Sequence, residues 1–319
     1  MTGSDDKTAV LAFDIGGTQL RAALVMGGRV LAERKSASGG LSPEALAARA
    51  KELAKELEGV TGEVADRAGV GIAAMLPLPA AVIENAPNLG WHGVPFRRIL
   101  EEALDGRPAV LVNDVDAIAV GEAAFGAGKG AKHLCAVFAG TGIGAGILVD
   151  GSLLTGFRGV AAEIGHVKVV AQGGRPCYCG QIGCLEAYAG GRALLERVEQ
   201  DLAAGRAEGV RARVGDDTLS LAHVDDAAAQ GDPYADALWG EAATYLGMSL
   251  ANLCTLLNPE VLVLGGGVWS RCPDLRRRVR EAIDVYTNEV ALVGLKVVDA
   301  ILGDHAGLLG AAKVALERL

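Results

Sequence analysis

A strand, a glycine-rich turn and a second strand occur twice in this chain, about 120 residues apart, and this recurrence constrains the fold more than any other feature. The first copy leads from a strand over Ala9–Asp14 through a glycine turn into a strand over Leu20–Val25. The second leads from Leu134–Phe138 through the segment Gly140–Gly146 into Ile147–Val149. The recurrence predicts two domains of one ancestral shape with a cleft between them.

Helical periodicity alternates with the strands along the rest of the chain, which is the pattern of an α/β protein. Further strands are predicted over Val30–Arg34, Gly69–Ala73, Ala109–Val112 and Val261–Leu264. Helices are predicted over Ser42–Glu58, with Ser42 as N-cap, and over Phe96–Leu104, Val115–Phe125, Tyr234–Leu257 and Ala306–Leu319. At 319 residues the chain can bury two cores, and we expect a small domain over 1–115, joined by helix 306–319, and a large domain over 116–305.

The charge balance argues against whole classes of partner. With 39 acidic and 30 basic residues the net charge is −9, so no basic field is available for a nucleic-acid backbone or an anionic membrane. No apolar run approaches the ~20 residues that a bilayer span requires, so we expect no membrane segment. The first residues include acids where a secretory signal needs basic side chains, and this predicts a cytoplasmic protein with reduced thiols.

The turn after the first strand has the composition of a phosphate-binding loop. Gly16 and Gly17 allow backbone N–H groups to close on an anion, and Thr18 adds a hydroxyl. Asp14, at the end of the strand, can hold a hydrated Mg²⁺. An ordinary hairpin turn explains the same residues, so this segment alone leaves both interpretations open.

A second glycine loop with the same ingredients favours the phosphate interpretation. Gly140, Thr141 and Gly142 occupy the corresponding place in the second copy, and two such loops facing each other can hold a polyphosphate. Neither loop matches the Walker pattern or a strand-to-helix GxGxxG. The run Gly265, Gly266 and Gly267 follows an apolar strand and leaves room for a flat ring, although a tight left-handed turn explains it equally well.

Asn113 and Asp114 lie where a predicted parallel strand ends, the usual position of reactive groups in open α/β sheets. A carboxylate at Asp114 can accept the proton of a substrate hydroxyl that attacks phosphorus, and Asn113 can hold a neighbouring hydroxyl. Asp114 also suits the N-cap of the helix that follows. Spacing alone does not choose between these roles.

His166, Cys177, Cys179 and Cys184 form the most specific cluster of the sequence, with one nitrogen and three sulfurs for a tetrahedral ion. Zn²⁺ suits such ligands, and four of them would fill its coordination shell, so the segment 166–184 predicts a structural rather than a hydrolytic zinc. The alternative is a set of buried, inert thiols.

Two acidic residues flank this cluster. Glu163 precedes His166 by three residues and Glu186 follows Cys184 by two, so a folded zinc loop would bring the two carboxylates close together. Both can then accept hydrogen bonds from sugar hydroxyls. Taken singly, each is more simply explained as a solvated surface charge.

The chain resembles the ROK family of sugar kinases, within the wider sugar kinase, Hsp70 and actin fold, from Asp14 to Gly310. The motifs that carry the resemblance are DIGGT (Asp14–Thr18), APNLGW (Ala86–Trp91), VNDVDA (Val112–Ala117), GTGIGAG (Gly140–Gly146), EIGH (Glu163–His166), CYCGQIGCLE (Cys177–Glu186) and LGGGV (Leu264–Val268). The resemblance implies two RNase H-like domains of the actin, hexokinase and Hsp70 type.

The resemblance also implies roles for individual residues. Asp114 would be the general base, and the sugar would be held by Asn88, Asn113, Glu163, His166 and Glu186. His166 would bind zinc through one ring nitrogen and the sugar through the other. The phosphates of ATP and Mg²⁺ would be held by Asp14, Gly16, Gly17, Thr18, Gly140, Thr141 and Gly142, and the adenosine by Gly265, Gly266 and Gly267.

We therefore expect an ATP-dependent kinase that converts glucose to glucose 6-phosphate, and the resemblance implies a homodimer or homotetramer. Departures from the family pattern at Gln19, Met75-Leu76, Asp116 and His305 leave other acceptors open: fructose, an N-acetylhexosamine or a cyclitol. Leu76 stands where the family has a glycine, and this is expected to change the sugar pocket. Polyphosphate stays open as an alternative donor. A sugar-sensing repressor is less expected, because such a repressor carries a DNA-binding helix-turn-helix before the DIGGT-like segment and only thirteen residues precede Asp14 here.

Overall fold

The computed structural model describes residues 7–77 and 82–319, which divide into two compact units. Unit 1 comprises the described residues up to 136 together with 146–162 and 300–319, and unit 2 comprises 137–145 and 163–299. The domain limits expected from the sequence, 1–115 with 306–319 and 116–305, remain a prediction.

The strands and helices of the described residues follow in chain order. The strands are β1 (Val10–Ile15), β2 (Gln19–Met26), β3 (Arg29–Ala37), β4 (Ala68–Ile72), β5 (Ile83–Ala86), β6 (Trp91–Val94), β7 (Ala109–Asn113), β8 (Leu134–Ala139), β9 (Ile143–Val149), β10 (Ser152–Leu153), β11 (Val261–Gly265) and β12 (Lys296–Asp299). The helices are α1 (Pro43–Thr61), α2 (Phe96–Ala103), α3 (Asp114–Phe125), α4 (Glu186–Ala189), α5 (Gly191–Ala203), α6 (Glu208–Val214), α7 (Leu221–Ala229), α8 (Pro233–Leu257), α9 (Gly267–Arg271), α10 (Pro273–Tyr286), α11 (Glu289–Leu292) and α12 (Ala306–Arg318).

Two mixed sheets form the framework of this α/β fold. The first has the strand order β3-β2-β1-β4-β7, in which β1 pairs antiparallel with β2 and parallel with β4, and β4 pairs parallel with β7. The second has the order β10-β9-β8-β11-β12, with β11 and β12 parallel. The parallel pairing of β4 and β7 confirms that Asn113 stands at the end of a parallel strand.

The helix ends follow from local sequence. Ser42 caps α1 as predicted, because its Oγ accepts a hydrogen bond from the backbone N of Ala45 at 3.2 Å. Gly62 ends the helix in the left-handed conformation, at φ +74°. The strand expected over Ile147–Val149 starts four residues earlier, since β9 already begins at Ile143. Gly146 is part of that strand rather than of a turn: a Cβ there would lie 2.5 Å from the Cβ of Ala119 on α3.

Side chains of the first sheet alternate between two apolar cores of unit 1. Leu11, Phe13 and Ile15 of β1 pack in the core that α1 and α2 complete. Val10 and Ala12 face the other way, into the core that α3 and α12 complete. The same alternation places Asp14 on the α12 side of the sheet.

Glycines allow α12 to approach its neighbours very closely. A Cβ on Gly310 would lie 1.6 Å from the backbone oxygen of Ala117 in α3. A Cβ on Gly69 of β4 would lie 2.0 Å from the backbone oxygen of Ala311. Side chains at these positions would force the helix away, so helix α12 depends on both glycines for its position.

A buried carboxylate joins three helices of unit 2. Asp225 of α7 is 4% exposed and accepts a hydrogen bond from Nε1 of Trp239 on α8 at 2.8 Å. It also accepts hydrogen bonds from the backbone N of Asp274 and Leu275, at the start of α10, at 3.0 Å each. Three donors compensate for the burial of this carboxylate. Within 7–77 and 82–319, none of the helices has the length and apolarity that crossing a membrane requires.

Candidate active site

The first glycine loop, residues 16–18, joins β1 to β2 in unit 1 and is held from behind by Ser38. The backbone N of Gly16 donates to the oxygen of Gln19 at 2.9 Å, which closes the turn. The fully buried Ser38 donates from Oγ to the oxygen of Gly16 at 2.7 Å and from its backbone N to the oxygen of Thr18 at 3.1 Å. These bonds occupy backbone oxygens of the loop, which favours N–H groups as the groups offered to a ligand.

The middle of this loop lies against Asn88. A Cβ on Gly17 would lie 2.8 Å from both the Cβ and the backbone oxygen of Asn88, so no side chain fits at position 17. Asn88 itself belongs to a turn closed by hydrogen bonds from Leu89 N to Ala86 O and from Gly90 N to Pro87 O, at 3.0 and 3.2 Å. The structure therefore brings a predicted sugar residue and a predicted phosphate residue into contact within unit 1.

Asp14 lies beside this loop among other charged groups. Burial raises its pKa, the carboxylates of Asp304 and Glu33 raise it further, and the nearby Arg21 opposes them. The Nε of Arg21 lies 3.6 Å from Oδ2 of Asp14. Such a carboxylate gains from a cation close to its oxygens, and this fits the predicted Mg²⁺ role.

Asn113, and not Asp114, occupies the N-cap position of α3. Its Oδ1 accepts hydrogen bonds from the backbone N of Val115 and Asp116 at 2.9 and 3.3 Å. Its Nδ2 donates to the backbone oxygen of Ala74 at 3.3 Å. Asp114, the first residue of the helix, accepts from Val115 N at 3.0 Å. The cap role considered for Asp114 thus belongs to its neighbour, because the extended backbone of residue 113 directs Oδ1 at the first free N–H groups.

The departure from the family pattern after β4 concerns Met75 rather than Leu76. Met75 forms an antiparallel bridge with Asn85: its backbone N donates to Asn85 O at 2.8 Å, and its O accepts from Glu84 N at 3.1 Å. Its side chain is 44% exposed, whereas Leu76 is 5% exposed and belongs to the unit 1 core. The leucine expected to reshape the pocket therefore contributes to the core. Leu78 and Pro79 of the same run lie outside the described residues.

The second glycine loop joins β8 to β9 in unit 2 and is bonded to the start of α5. The backbone N of Gly140 donates to Gly142 O at 2.9 Å. Gly191 N donates to Gly140 O and Arg192 N to Thr141 O, both at 2.9 Å. As in the first loop, neighbouring backbone groups hold the carbonyls of the turn.

A cavity of about 670 Å³ in unit 2 brings the second loop and the later glycine run together. Gly140 and Thr141 line it on one side, and Gly267 at the start of α9 lines it on another. Apolar side chains and two arginines, Arg192 and Arg271, complete the wall. Its volume lies in the range of small-molecule sites, and glycine backbone, cations and apolar surface together suit a nucleotide.

The glycine run after β11 is a tight turn that also borders this cavity. Gly266 has φ +97°, and a Cβ there would lie 2.3 Å from the backbone oxygen of Ala139. Only glycine satisfies both conditions. The tight turn expected at this run is present at Gly266, and Gly267 lines the cavity; the role of the run toward a flat ring stays a prediction.

The Glu186 carboxylate acts electrostatically on Glu163 in unit 2. Burial raises the pKa of Glu163, the Glu186 carboxylate raises it further, and His166 opposes both. Glu186, the first residue of α4, accepts a hydrogen bond at Oε2 from the backbone N of Ile143 at 2.9 Å. Two carboxylates so close to a histidine suit a ligand with several hydroxyl groups.

The four predicted metal ligands meet in unit 2. The ligand atoms of His166, Cys177, Cys179 and Cys184 all lie within 4.8 Å of one another, with Nδ1 of His166 3.8 Å from Sγ of Cys177. Burial raises the pKa of the Cys177 thiol to about 12, so only a cation beside it would favour the thiolate at neutral pH. One nitrogen and three sulfurs in this arrangement fit a tetrahedral ion such as Zn²⁺.

The segment that carries the cysteines is folded by short backbone bonds and two glycines. Cys177 N donates to Gln181 O at 2.8 Å, and Gly180 N to Cys177 O at 2.9 Å. Gly180 and Gly183 have φ of +84° and +73°, and a Cβ on Gly183 would lie 1.9 Å from the oxygen of Val170. The turns expected at both glycines are present, and at Gly183 no other residue fits.

Tyr178, between two of the cysteines, connects this segment to α5. Its hydroxyl donates to Oε2 of Glu196, and the guanidinium of Arg192 lies 3.9 Å from the centre of its ring. Arg192 also pairs with Glu196 through Nε at 3.1 Å. None of these residues is predicted from the sequence: the i, i+4 spacing of Arg192 and Glu196 is the available signal, and it does not point to Tyr178.

Comparison with known proteins agrees with this description. The sequence profile of the ROK family matches residues 10–318. A glucokinase of Streptomyces coelicolor is 35% identical over 320 residues, covering 96% of this chain and 97% of the relative. The solved ROK hexokinase from Thermus thermophilus has a TM-score of 0.84 and 34% identity over 97% of this chain and 98% of its own. A ROK family glucokinase from Streptomyces griseus, solved in complex with glucose and AMPPNP, has a TM-score of 0.80 and 33% identity over 97% and 99%.

Fold and site together define a sugar kinase with the two-domain α/β fold of the actin and hexokinase type, as predicted. The chain belongs to the ROK family. The expectations for the enzyme class and for ATP as a ligand are confirmed by these relatives.

Proposed function

We propose that this protein is an ATP-dependent glucokinase that transfers the γ-phosphoryl group of ATP to the 6-hydroxyl of glucose. The observation that carries the proposal is the cavity in unit 2, where the second glycine loop and Gly267 come together beside two arginines. The similarity to a glucokinase that binds glucose and AMPPNP supports both substrates.

In this proposal Asp114 is the general base. The 6-hydroxyl oxygen of glucose forms a bond to the γ-phosphorus as the bond to the β-phosphate oxygen breaks, Asp114 takes the hydroxyl proton, and ADP leaves. Asn113 supports Asp114 by capping α3. The side chain of Asn113 would therefore both shape the start of the helix and contact the sugar. The reaction needs positioning and charge neutralisation more than covalent chemistry.

Six side chains are the proposed sugar ligands. They are Asn88, Asn113, Asp114, Glu163, His166 and Glu186. Because Nδ1 of His166 faces the cysteine sulfurs, its other ring nitrogen, Nε2, is the one that can meet a hydroxyl. Carboxylates and amides suit this task, since each sugar hydroxyl both donates and accepts.

In unit 2 the proposed phosphate loop is Gly140–Gly142, beside the cavity. In unit 1 the loop Gly16–Thr18 is the corresponding candidate, and Asp14 is the residue that would hold Mg²⁺. Mg²⁺ held there would supply positive charge against the charge that develops on the phosphates during transfer. The proposed position of the adenosine is beside Gly265–Gly267, of which Gly267 lines the cavity. ATP rather than polyphosphate is the donor, because apolar side chains that a polyphosphate chain cannot use line the same cavity.

Zn²⁺ is the ion we propose for the cluster at segment 166–184, in a structural role. Four protein ligands leave no open position for a water, so the ion would hold the segment and orient His166. The cluster also needs reduced thiols, which supports a cytoplasmic location. We also propose a homodimer or a homotetramer, and a measurement of the molar mass in solution tests this.

The exposed side chain of Met75 favours a second candidate with the same reaction. Met75 stands 44% exposed next to the loop that Asn113 contacts, so it can restrict the acceptor. Fructose, an N-acetylhexosamine or a cyclitol would then replace glucose, and the machinery for phosphoryl transfer would be unchanged.

A coupled assay of ADP release tests the proposal. Wild-type protein with Mg-ATP is given a panel of hexoses, hexosamines and cyclitols, and the Asp114→Asn variant is assayed beside it. Turnover of glucose that the variant lacks supports the glucokinase. Turnover of another acceptor alone contradicts the choice of glucose, and no turnover across the panel contradicts the proposal as a whole.

A further inference from the structure

The side chain of Glu186 lies among glycines from three different segments of unit 2. A Cβ on Gly142, in the second glycine loop, would lie 2.3 Å from Oε2 of Glu186. A Cβ on Gly190, at the end of α4, would lie 2.9 Å from its Cγ, and one on Gly165 would lie 3.4 Å from Oε2. The side chain of Glu186 therefore occupies space that is free only because these three residues are glycines.

One oxygen of this carboxylate is bonded to the glycine loop itself. Oε2 accepts the hydrogen bond from the backbone N of Ile143, the residue directly after Gly142. The other oxygen, Oε1, accepts no hydrogen bond from the described residues and lies 3.8 Å from the place that a Cβ of Gly142 would take. One side chain thus has one oxygen committed to the loop and one available to a ligand.

We infer that Glu186 is a positioning residue for the phosphate loop as well as a sugar ligand, and that this shared carboxylate makes sugar and nucleotide bind cooperatively. The inference rests on the proposed function, because it takes the loop as the phosphate site and Glu186 as a sugar contact. A sugar that orders Glu186 would also order Ile143 and Gly142, so the nucleotide would meet a loop already in place.

Such coupling must be reciprocal. If glucose raises the affinity for Mg-ADP by some factor through Glu186, then Mg-ADP raises the affinity for glucose by the same factor. Changes on the loop side that move the carboxylate must then weaken sugar binding without any contact to sugar. This consequence separates a shared carboxylate from two independent sites.

The loop offers a matched pair of glycines for the first test. Gly142→Ala would push a methyl group into Oε2 of Glu186, whereas a Cβ on Gly140 meets nothing closer than the backbone N of Gly267 at 4.0 Å. We expect the dissociation constant of glucose, measured by calorimetry without nucleotide, to rise about tenfold in Gly142→Ala and to stay within about twofold in Gly140→Ala. Equal effects of the two variants would overturn the inference.

The second test approaches the same contact from the carboxylate. We expect Glu186→Ala to weaken Mg-ADP binding about fivefold in the absence of sugar, because Ile143 N–H loses its acceptor. Glu186→Gln keeps a carbonyl oxygen for that N–H and should restore Mg-ADP affinity. Glu163→Gln removes a different proposed sugar contact of unit 2 and should leave Mg-ADP affinity in the absence of sugar unchanged. Unchanged Mg-ADP affinity in Glu186→Ala would also overturn the inference.

The two tests separate this inference from the proposed function. Wild-type protein that fails to bind glucose contradicts the choice of glucose, and the Mg-ADP series still decides the role of Glu186. Wild-type protein that binds both ligands, with Gly142→Ala behaving like Gly140→Ala, contradicts the inference alone. Circular dichroism and thermal melting of each variant identify any that fails to fold. If one fails, Glu186→Gln is the variant that is compared with wild type.

Discussion

The guanidinium of Arg192 lies 3.9 Å from the ring centre of Tyr178, so a residue that lines the proposed nucleotide cavity is held by one that lies between two proposed metal ligands. Glu196 reinforces the pair by bonding to both side chains. The segment of the cysteines and the nucleotide cavity are therefore connected through three side chains of unit 2.

Removing the ring of Tyr178 should weaken nucleotide binding and leave sugar binding alone. We expect Tyr178→Leu to raise the KM for Mg-ATP about two- to fivefold, because a cation–π contact at an exposed site is worth about 0.5–1 kcal/mol. Tyr178→Phe keeps the ring and should show a smaller effect. Steady-state kinetics with each substrate varied in turn provide the measurement, and an equal rise in both KM values would contradict the prediction.

Replacing the proposed base should remove turnover but not binding. We expect Asp114→Asn to lower kcat about 10²- to 10⁴-fold, because the amide cannot accept the hydroxyl proton. The dissociation constant of glucose should change little, since the amide still forms hydrogen bonds. Asp116→Asn, two residues along α3, serves as control. A variant that keeps most of its kcat would exclude Asp114 as the base.

Bound zinc should depend on the cysteines of the cluster and not on the other cysteines of the chain. Cys184 and Cys254 are both fully buried, but only Cys184 belongs to the cluster. We expect Cys184→Ser to lose the bound zinc and to lower the melting temperature more than Cys254→Ser, which should keep its metal. Elemental analysis of the purified variants checks this, and retention of zinc by Cys184→Ser would refute the proposed ligand set.

Acid should destabilise unit 2 through Asp274. Burial acts to raise the pKa of this carboxyl, but hydrogen bonds from Arg277 and Arg278, at 2.8 Å each, outweigh it, and the pKa lies below its ordinary value. A carboxylate with a depressed pKa stabilises the fold above its unfolded pKa, near 4, and this contribution is lost as the pH falls through the folded pKa.

We therefore expect Asp274→Asn to melt about 3 °C below wild type at pH 7, with the gap closing as the pH is lowered below about 4. Glu281→Gln is the control, because Glu281 pairs with the same Arg277 but is largely exposed. A gap that is constant from pH 7 to pH 3 would exclude the ionised carboxylate as its cause.

A methyl group on Gly310 should disrupt unit 1. Since that methyl would lie 1.6 Å from the oxygen of Ala117, we expect Gly310→Ala to cost more than about 2 kcal/mol in the free energy of unfolding. Gly59→Ala is the matched change, because a Cβ at Gly59 in α1 meets nothing within 4 Å. It should stabilise the fold by up to about 1 kcal/mol. Chemical denaturation of both variants measures the difference.

Local patterns made much of the fold accessible from the sequence. The meander β1–β3, helix α1 with its Ser42 cap and the strand before Asn113 are confirmed, because alternation and caps are set by residues close in the chain. The cysteine cluster is predictable for the same reason, because its four candidate ligands fall within nineteen residues and its glycines mark the turns. The roles of the sugar residues remain predictions.

The contacts that sequence reasoning missed join residues without a common pattern. Ser38 supports the first glycine loop across 22 residues of chain, and Glu186 supports the second across 43. No periodicity marks either residue. The burial of Leu76 is likewise not marked by any local pattern, and neither is the bridge between its neighbour Met75 and Asn85.

The core that α12 completes also determines when unit 1 can finish folding during synthesis. Val10 of β1 and Leu308 of α12 belong to one cluster, although nearly 300 residues separate them. A growing chain therefore cannot complete the α12 side of its first sheet until that helix leaves the ribosome, although α3 is made much earlier. At about 5–20 residues per second this interval lasts some 15–60 s.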